Sequence, residues 1–178
     1  MRIEDVIILD LEASGLGRDS WPIEVGLAWV EAGEIKIWSS LIRPEPDWDV
    51  DAWDPIAEDI HGISRDDLTS APTAWVVAEQ LRQHIAGRPV FSDAPDHDLK
   101  WMRRLLDAQP GPGSIQVLDF DLAVGAVCGE RGADWAYERL ERSRTPHRAG
   151  PDAARMVEAI LYGMQRAAVS PPADEISP

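Results

Sequence analysis

The sequence predicts an α/β sandwich in which helices flank a five-stranded mixed sheet. Three observations support this fold class: a short apolar run near the start, two strand-like segments directly after it, and a later succession of helices and strands. Segments in this order are typical of a layered α/β domain. At 178 residues the chain is long enough to bury one full core, so we expect a single domain over residues 1–168.

Three strands are predicted before residue 44. Residues 5–11 (DVIILDL) form an apolar run that ends in acidic residues, which indicates a buried central strand whose carboxyl end reaches an open site. Residues 23–30 and 33–43 flank a turn at residues 31–34, and the second segment alternates in polarity. This pattern predicts an antiparallel hairpin.

Helical spacing of apolar residues and turn signals organise the rest of the chain. Residues 44–71 form a long connection, rich in Pro, Asp and Trp, that we expect to contribute to a site. The predicted helices span residues 55–60, 72–87, 98–108, 120–127 and 151–167, and the predicted strands span 88–92 and 115–118. A Gly-Pro-Gly stretch at 111–113 precedes the last strand, and residues 169–178 are predicted to be a disordered tail.

The net charge of −15, from 32 acidic and 17 basic residues, disfavours a protein that grips nucleic acid over a broad basic surface. Any contact with phosphate is therefore expected to be local. Arg139, Arg142, Arg144 and Arg148 crowd one stretch beside His147. This cluster is either such a local contact or a solvated loop face, and the sequence does not decide between the two.

Simple features exclude other classes of protein. No apolar run approaches the ~20 residues that a membrane helix needs, and the first residues lack the pattern of a signal peptide. We therefore expect a cytoplasmic protein with no membrane partner. Cys128 is the only cysteine, which excludes an internal disulfide and a multi-cysteine zinc site and predicts a buried, inert thiol.

Asp10 and Glu12 are the first candidates for chemistry. They lie two residues apart on the predicted central strand, so both side chains leave the same face at its carboxyl end. Two carboxylates this close repel each other unless a cation lies between them, and hard oxygen ligands select Mg²⁺ or Mn²⁺ over zinc. The alternative interpretation is an acidic strand end exposed to solvent.

Asp98, Asp152 and His147 extend this set. Each aspartate opens a predicted helix, where it can serve either as an N-cap or as a ligand near the sheet. Met156 and Ile160 follow Asp152 by one and two turns and face the core, so we expect that carboxylate to lean toward the sheet. His147 lies in a polar loop, and because imidazole titrates near neutral pH it can accept a proton from water.

On these residues the chain resembles the DEDDh exonucleases of the ribonuclease H-like fold, which include polymerase proofreading subunits, ribonuclease T and oligoribonucleases. The resemblance covers roughly residues 5–160 and rests on three blocks in the family order: ILDLEASGL at 8–16, DHDLKWM at 96–102 and HRAGPDAARM at 147–156. A fourth block, IHGIS at 60–64, is similar to the segment that shapes the family's pocket for the terminal nucleotide.

The resemblance implies a ribonuclease H-like sandwich and a 3′-to-5′ exonuclease that releases nucleoside 5′-monophosphates from single-stranded DNA or RNA ends. It implies two Mg²⁺ or Mn²⁺ ions, with Asp10 bridging both and Glu12 and Asp152 completing the ligands of one. Asp98 is implied to support the second ion, and His147 to be the general base. The implied contacts with the terminal nucleotide are Ala13, Ser14, Gly15, Leu16, His61 and Ile63.

The second motif departs from the commonest family pattern. FSDAPDHDLKWM contains Asp93, Asp96 and Asp98, where many relatives show His-Asn before Phe-Asp. We assign the ligand to Asp98, because its spacing to the apolar helix residues fits the family register, and keep Asp93 as the substitute. The sequence leaves open whether Asp93 or Asp96 shares this role. His97 is expected to pack or to orient a ligand rather than to act as the base.

Rival functions and two further features stay open at this point. A catalytically silent nucleic-acid-binding module and an endonuclease of the same broad fold are the rivals to an exonuclease. Several family members work as homodimers, but no sequence feature establishes a homodimer for this chain. Among eight tryptophans, Trp48 and Trp53 lie in the acidic connection and are candidates for stacking on bases.

Overall fold

The computed structural model describes residues 1–109 and 115–169. Its elements in chain order are β1 (Ile7–Ala13), β2 (Pro22–Glu31), β3 (Glu34–Leu41), α1 (Pro55–His61), α2 (Arg65–Thr69), α3 (Ala74–Ile85), β4 (Val90–Ser92), α4 (Pro95–Asp107), β5 (Val117–Asp119), α5 (Phe120–Arg142) and α6 (Ala149–Val169). The strands form one five-stranded sheet in the order β3-β2-β1-β4-β5. The predicted α/β sandwich with a helix-flanked mixed sheet is confirmed.

Strand β1 lies in the centre of the sheet and pairs in both senses. It runs antiparallel to β2, which forms the predicted hairpin with β3 through Ala32 and Gly33, both at positive φ. On its other side β1 is parallel to β4, and β4 is parallel to β5. The carboxyl ends of β1, β4 and β5 therefore meet at one edge of the sheet, the usual place for a site in this class of fold.

Two apolar cores lie between the sheet and its helices, one on each face of the sheet. Ile7 and Leu9 face the core formed with α3 and α4, whereas Ile8 of the same strand faces the core formed with α5 and α6. All three side chains are fully buried, as a continuous apolar run predicts for a central strand. Because side chains alternate along a strand, Asp10 and Glu12 share the face of Ile8, which is the face that α6 covers.

Helices α4 and α6 begin earlier than predicted, which changes the structural role of two aspartates. Pro95 is the first residue of α4 and Ala149 is the first residue of α6, so Asp98 and Asp152 are each the fourth residue of their helix. Neither aspartate is therefore an N-cap. The prediction for α4 overlooked the preference of proline for the first helical turn, where its missing N–H has no cost.

Other boundaries also differ from the prediction. Helix α5 continues to Arg142 rather than ending near residue 127, with a break at Gly129, whose φ is 65°. Helix α2 was not predicted, and its start is stabilised by reciprocal hydrogen bonds between Ser64 and Asp67 that satisfy backbone donors. Strands β4 and β5 contain three residues each, fewer than predicted.

Several predictions concern the chain ends and the thiol. The Gly-Pro-Gly stretch at 111–113 and residues 170–178 of the predicted tail lie outside the described residues, while Val169 ends α6. Within residues 1–109 and 115–169, no helix combines the length and apolar content that crossing a membrane requires.

Cys128 is buried as predicted. Its Sγ lies 3.4 Å from the carbonyl oxygen of Ile160, and burial raises the pKa of this thiol.

Candidate active site

Five carboxylates converge at the carboxyl ends of β1 and β4. Oxygen atoms of Asp10, Glu12 and Asp152 lie within 4.8 Å of one another, and so do oxygen atoms of Asp10, Asp93 and Asp98. Asp10 belongs to both groups. The structure thus brings together the four carboxylates selected from the sequence and adds Asp93, which the sequence kept only as a substitute.

Asp96 and His97 lie on the first turn of α4 but are not part of either carboxylate group. Asp96 is exposed and belongs to neither group. The His97 ring is also exposed and lies 5.6 Å from the Trp101 ring, centroid to centroid, which is a packing contact. Of the three aspartates in the second motif, Asp93 and Asp98 are therefore the two that the fold places in the cluster.

Asp98 is anchored between the ends of β1 and β4. Its carboxylate accepts a hydrogen bond from the Ser92 hydroxyl, and the residue is only 2% exposed. Ser92 is itself fully buried, and its Oγ accepts a hydrogen bond of 2.9 Å from the N–H of Ala94. These bonds hold the Asp98 carboxylate in one orientation beside Asp10.

Asp152 is held on the opposite side of the cluster by α6. Its Oδ2 accepts a hydrogen bond of 3.0 Å from the backbone N–H of Arg148, and its Oδ1 lies 3.3 Å from Nε of Arg155. Arg155 also donates to the carbonyl oxygen of Leu140 and to the hydroxyl of Ser143 at the end of α5. Arg155 thus links the end of α5 to a carboxylate of the cluster.

Burial and repulsion by neighbouring carboxylates raise the pKa values of Asp10, Glu12, Asp93 and Asp98. Burial is the main cause at Glu12 and at Asp98, where the pKa rises to about 7 in each case. Burial also raises the pKa of Asp10 well above its usual range, and the charges of Asp98 and Glu12 add to the increase. At Asp93 burial raises the pKa, while the Arg155 cation opposes that effect. These four carboxyl groups therefore hold protons more tightly than isolated carboxylates do.

This donor set fits hard divalent cations. Both groups consist of carboxylate oxygens alone, which are the ligands that Mg²⁺ and Mn²⁺ prefer. A cation in each group would offset the repulsion that raises these pKa values. Since Asp10 is common to both groups, two cations bound there would share its carboxylate.

His147 lies on the exposed loop between α5 and α6. Its φ is 55°, in the left-handed region that residues with a side chain rarely adopt. Across the part of the chain that the structure describes, no hydrogen bond or ring contact fixes the imidazole, so it is accessible to a ligand and to solvent. Its role as general base stays a prediction.

Glu24 is a buried carboxylate near the site, and it was not predicted from the sequence. It faces Glu12 in the antiparallel register of β1 and β2 and is 3% exposed. Arg148 donates hydrogen bonds to both of its oxygens, and these bonds raise the pKa of Arg148. The available signal was a single charged residue inside the apolar segment PIEVGLAWV, since such a residue must have a partner when buried.

A pocket of about 140 Å³ adjoins the cluster. It is lined by residues from the end of β1, from α1 and from α4: Leu11, Glu12, Ala13, Gly15, Leu16, Ala57, Ile60, His61 and Trp101. Glu12 therefore belongs both to the carboxylate cluster and to the pocket wall. Four of the predicted substrate contacts, Ala13, Gly15, Leu16 and His61, line this pocket.

Ser14 and Ile63, the other two predicted contacts, do not line the pocket. Ser14 is fully buried, and its hydroxyl donates to the carbonyl oxygen of Ala52 and accepts from the N–H of Trp21. Ile63 is 2% exposed and packs in the core beneath the sheet. Both side chains are therefore buried away from the pocket surface.

His61 presents a buried nitrogen to this pocket. Its Nδ1 accepts a hydrogen bond of 3.0 Å from the N–H of Ile63, whereas its Nε2 is buried without a partner among the described residues. Burial lowers the pKa of His61, which favours the neutral ring. With Nδ1 acting as an acceptor, the proton of the neutral ring lies on Nε2, which is then a donor for a ligand oxygen or nitrogen.

Apart from Glu12, four residues of the pocket wall were not among the predicted nucleotide contacts: Leu11, Ala57, Ile60 and Trp101. Ile60 is nevertheless the first residue of the IHGIS block, which was predicted to shape the pocket. Trp101 lies three residues after Asp98 on α4, on the same side of the helix, so the spacing contained the signal. Its Nε1 donates a hydrogen bond of 2.9 Å to Ser20 Oγ, which fixes the ring. Ile60 is 53% exposed at the pocket rim.

Both tryptophans proposed for base stacking contact Trp21, but only Trp48 is buried. Trp48 is buried, with its ring 5.8 Å from that of Trp21. The half-buried Trp53 ring lies 5.6 Å from that of Trp21, and its Nε1 donates a hydrogen bond to Glu58, so its role in stacking stays a prediction. The prediction is therefore wrong for Trp48, because its large apolar ring is needed to fill the core under the long connection.

No family model matches the chain, and no curated protein matches it in sequence. Solved structures do match its fold. The zinc-bound form of E. coli ExoI in complex with single-stranded DNA is 13% identical with a TM-score of 0.65, covering 92% of this chain and 41% of that one. The nuclease domain of 3′hExo, a DEDDh family member bound to rAMP, is 15% identical with a TM-score of 0.65, covering 90% of this chain and 92% of that one.

The fold is the ribonuclease H-like fold of DEDDh 3′-exonucleases. A 3′-exonuclease that recognises the histone mRNA stem-loop also shares it, at 14% identity and a TM-score of 0.64, covering 92% of this chain and 65% of that one. The chain thus spans less than half of ExoI but nearly the whole 3′hExo nuclease domain. At these identities the similarity establishes the fold alone, so activity is argued from the site.

Proposed function

We propose that the chain is a metal-dependent 3′-to-5′ exonuclease that hydrolyses phosphodiester bonds at single-stranded 3′ ends of DNA or RNA. The observation that carries this proposal is the double position of Glu12, which is part of both the carboxylate cluster and the wall of the small pocket. A terminal nucleotide in the pocket has its phosphate beside the cluster. Hydrolysis at that phosphate releases a nucleoside 5′-monophosphate.

The carboxylates supply the ligands for two cations, Mg²⁺ or Mn²⁺, with Asp10 shared and Asp98 and Asp152 anchored on either side. When bound, two such cations would supply Lewis-acid activation of the attacking water and stabilisation of charge on the departing 3′ oxygen. The attacking water forms a bond to phosphorus while the bond to the 3′ oxygen of the penultimate nucleotide breaks. His147 accepts the proton of that water and, being exposed, passes it to solvent.

We infer a preference for single-stranded ends from the place of the pocket. Its walls come from the end of β1 and the loop after it, from α1 and from α4, so a terminal nucleotide that enters it must separate from any partner strand. Leu16, 73% exposed, and Ile60 form an apolar rim against which the terminal sugar and base can pack. The neutral His61 ring donates from Nε2 to the bound nucleotide.

The test is a digestion series with 5′-labelled single-stranded and double-stranded DNA and RNA oligonucleotides, in Mg²⁺, Mn²⁺ or EDTA. We expect stepwise shortening from the 3′ end, nucleoside 5′-monophosphates as products, and no reaction in EDTA. An oligonucleotide blocked by a 3′-terminal phosphate should react more slowly. Cleavage of circular single-stranded DNA would instead establish an endonuclease.

Two aspartate variants test whether activity depends on the carboxylate cluster or on acidic residues in general. Asp10→Asn removes the shared ligand and should abolish nucleotide release, whereas Asp96→Asn changes an exposed aspartate outside both groups and should leave the rate unchanged. Binding of single strands without cleavage by the unmodified protein in Mn²⁺ would replace the exonuclease with a silent nucleic-acid-binding module. A homodimeric assembly and a cytoplasmic location remain predictions.

A further inference from the structure

Arg148 and Glu24 form an ion pair that connects the His147 loop to the sheet. The guanidinium donates from Nε and from Nη2 to the two oxygens of Glu24, at 2.9 and 2.8 Å. A bidentate contact of this kind fixes orientation as well as distance. Glu24 is buried within β2, so the loop residue next to His147 is attached to a rigid element.

The backbone that follows His147 is held by two carboxylates. The N–H of Ala149 donates to Oε2 of Glu24 at 2.9 Å, and the N–H of Arg148 donates to Oδ2 of Asp152 at 3.0 Å. His147 has a left-handed φ, and the structure shows no contact of its own side chain within the described residues. The two residues that follow it, Arg148 and Ala149, are thus fixed by hydrogen bonds, whereas the His147 side chain is not.

We propose that the Arg148–Glu24 pair is a positioning element that holds the His147 imidazole over the carboxylate cluster. The inference rests on the proposed function, in which His147 accepts a proton from water. Glu24 faces Glu12 in the strand register, so the pair also ties the loop to the strand that carries two of the cluster carboxylates. Rigid support of this kind determines whether a catalytic group stays within reach of its target.

A direct contact between Arg148 and substrate phosphate is the competing explanation. Against it, Nε and Nη2 of the guanidinium are already engaged by Glu24. Its side chain is 42% exposed, so part of it also lies against the protein. A positioning role and a phosphate contact differ in kinetics, because the first lowers kcat and the second raises KM.

The first experiment requires no catalysis. Amide hydrogen exchange of the metal-free protein, followed by mass spectrometry, is compared among wild type, Glu24→Gln, Arg148→Gln and the double variant. We expect exchange in peptides covering residues 143–150 to accelerate at least tenfold in each variant, with the sheet unchanged. Unchanged exchange in that segment, or equal acceleration throughout the chain, would overturn the proposal.

Arg142→Gln is the matched control for the loop. Arg142 ends α5, and its side chain is 73% exposed and pairs with Glu138 at 2.5 Å on the same helix. Its replacement should leave exchange in residues 143–150 as in wild type. The double variant guards against misfolding, because removing both charges leaves no unpaired buried ion.

The second experiment measures the kinetics of nucleotide release. Glu24→Gln and Arg148→Gln should each lower kcat at least tenfold with KM within about twofold, and the double variant should be no slower than the slower single variant. Arg148→Lys, which keeps the charge but loses the bidentate contact, should fall between wild type and Arg148→Gln. Guanidinium added to the buffer should partly restore the rate of Arg148→Ala.

These outcomes test the positioning role of the Arg148–Glu24 pair separately from the proposed nuclease function. A rise in KM with unchanged kcat, or losses that add in the double variant, would overturn the positioning role. If the wild-type protein released no nucleotide in Mn²⁺, the proposed function would fail. The exchange measurement would still decide whether the pair holds the loop.

Discussion

Asp10 and Gly26 face each other across β1 and β2, and the missing side chain of Gly26 lets α6 approach the strand that carries Asp10. A Cβ atom at Gly26 would lie 2.2 Å from the carbonyl carbon of Ala149 and 2.3 Å from the nitrogen of Gly150. The first turn of α6 therefore lies directly on the backbone of β2. This contact places Asp152 beside Asp10.

We predict that Gly26→Ala weakens both the fold and the metal site. The added methyl group forces α6 outward, which we expect to cost roughly 1–3 kcal/mol of unfolding free energy and to lower Mn²⁺ affinity at least tenfold. Urea unfolding and calorimetric titration with Mn²⁺ measure the two effects. Gly125→Ala in α5 is the control, since its Cβ meets open space. Wild-type Mn²⁺ affinity in Gly26→Ala would contradict the argument.

The metal-free protein should lose stability as the pH rises toward about 7. Folding raises the pKa of Glu12 from 4.5 to about 7 and that of Asp98 from 3.8 to about 7. The folded state thus binds protons that the unfolded state has released, so this contribution is complete below the lower values and is lost as the pH passes the upper ones.

Divalent cations should reverse that loss, because they replace the protons. Thermal unfolding in EDTA and in Mn²⁺ checks this, and the increase in Tm caused by Mn²⁺ should be larger at about pH 8 than at about pH 5.5. An Mn²⁺ effect that is independent of pH would show that these carboxyl groups do not bind the ion.

Asp10→Asn should stabilise the metal-free protein while abolishing activity. Asp10 is surrounded by the charges of four other carboxylates, and a neutral amide removes that repulsion without changing the volume. We expect Tm in EDTA at about pH 8 to rise by a few degrees. Asp96→Asn should leave Tm unchanged. A lower Tm in Asp10→Asn would mean that the cluster is neutralised in some other way.

Ser92→Ala tests the anchor of Asp98. Without the hydroxyl, the Asp98 carboxylate keeps its position on α4 but loses the donor that orients it, and the N–H of Ala94 loses its acceptor. Loss of such a supporting hydrogen bond typically lowers metal affinity by about 10- to 100-fold. Calorimetry with Mn²⁺ measures the change. Ser70→Ala, at the exposed end of α2, is the control and should bind as wild type does.

His61→Phe tests the donor in the pocket. The phenyl ring fills a similar space but cannot donate from the position of Nε2, so one hydrogen bond to the bound nucleotide is lost. A loss of about 1 kcal/mol corresponds to roughly five- to tenfold weaker binding of a nucleoside 5′-monophosphate. Product inhibition measures that affinity. Equal inhibition of wild type and His61→Phe would show that Nε2 does not contact the nucleotide.

Local patterns in the sequence predicted the elements of the fold more accurately than their ends. The apolar run of β1 and the alternation of β3 predict both strands, because burial on one or both faces determines which side chains a strand carries. The starts of α4 and α6 were misplaced by two or three residues, since proline and small residues at a helix start give weaker signals than an apolar repeat. As a result the sequence treated Asp98 and Asp152 as possible caps.

The sequence by itself determined the chemical kinds present: an α/β sheet, carboxylates in pairs at element ends, and a histidine in a polar loop. Only the tertiary structure decided that Asp93 joins Asp98 in the cluster, that Ser14 and Ile63 lie behind the pocket wall, and that Glu24 binds Arg148. The physical reason is that spacing in the sequence determines only local geometry. Spacing along one element fixes which side chains share a face, whereas distances between elements depend on how closely their backbones pack, as at Gly26.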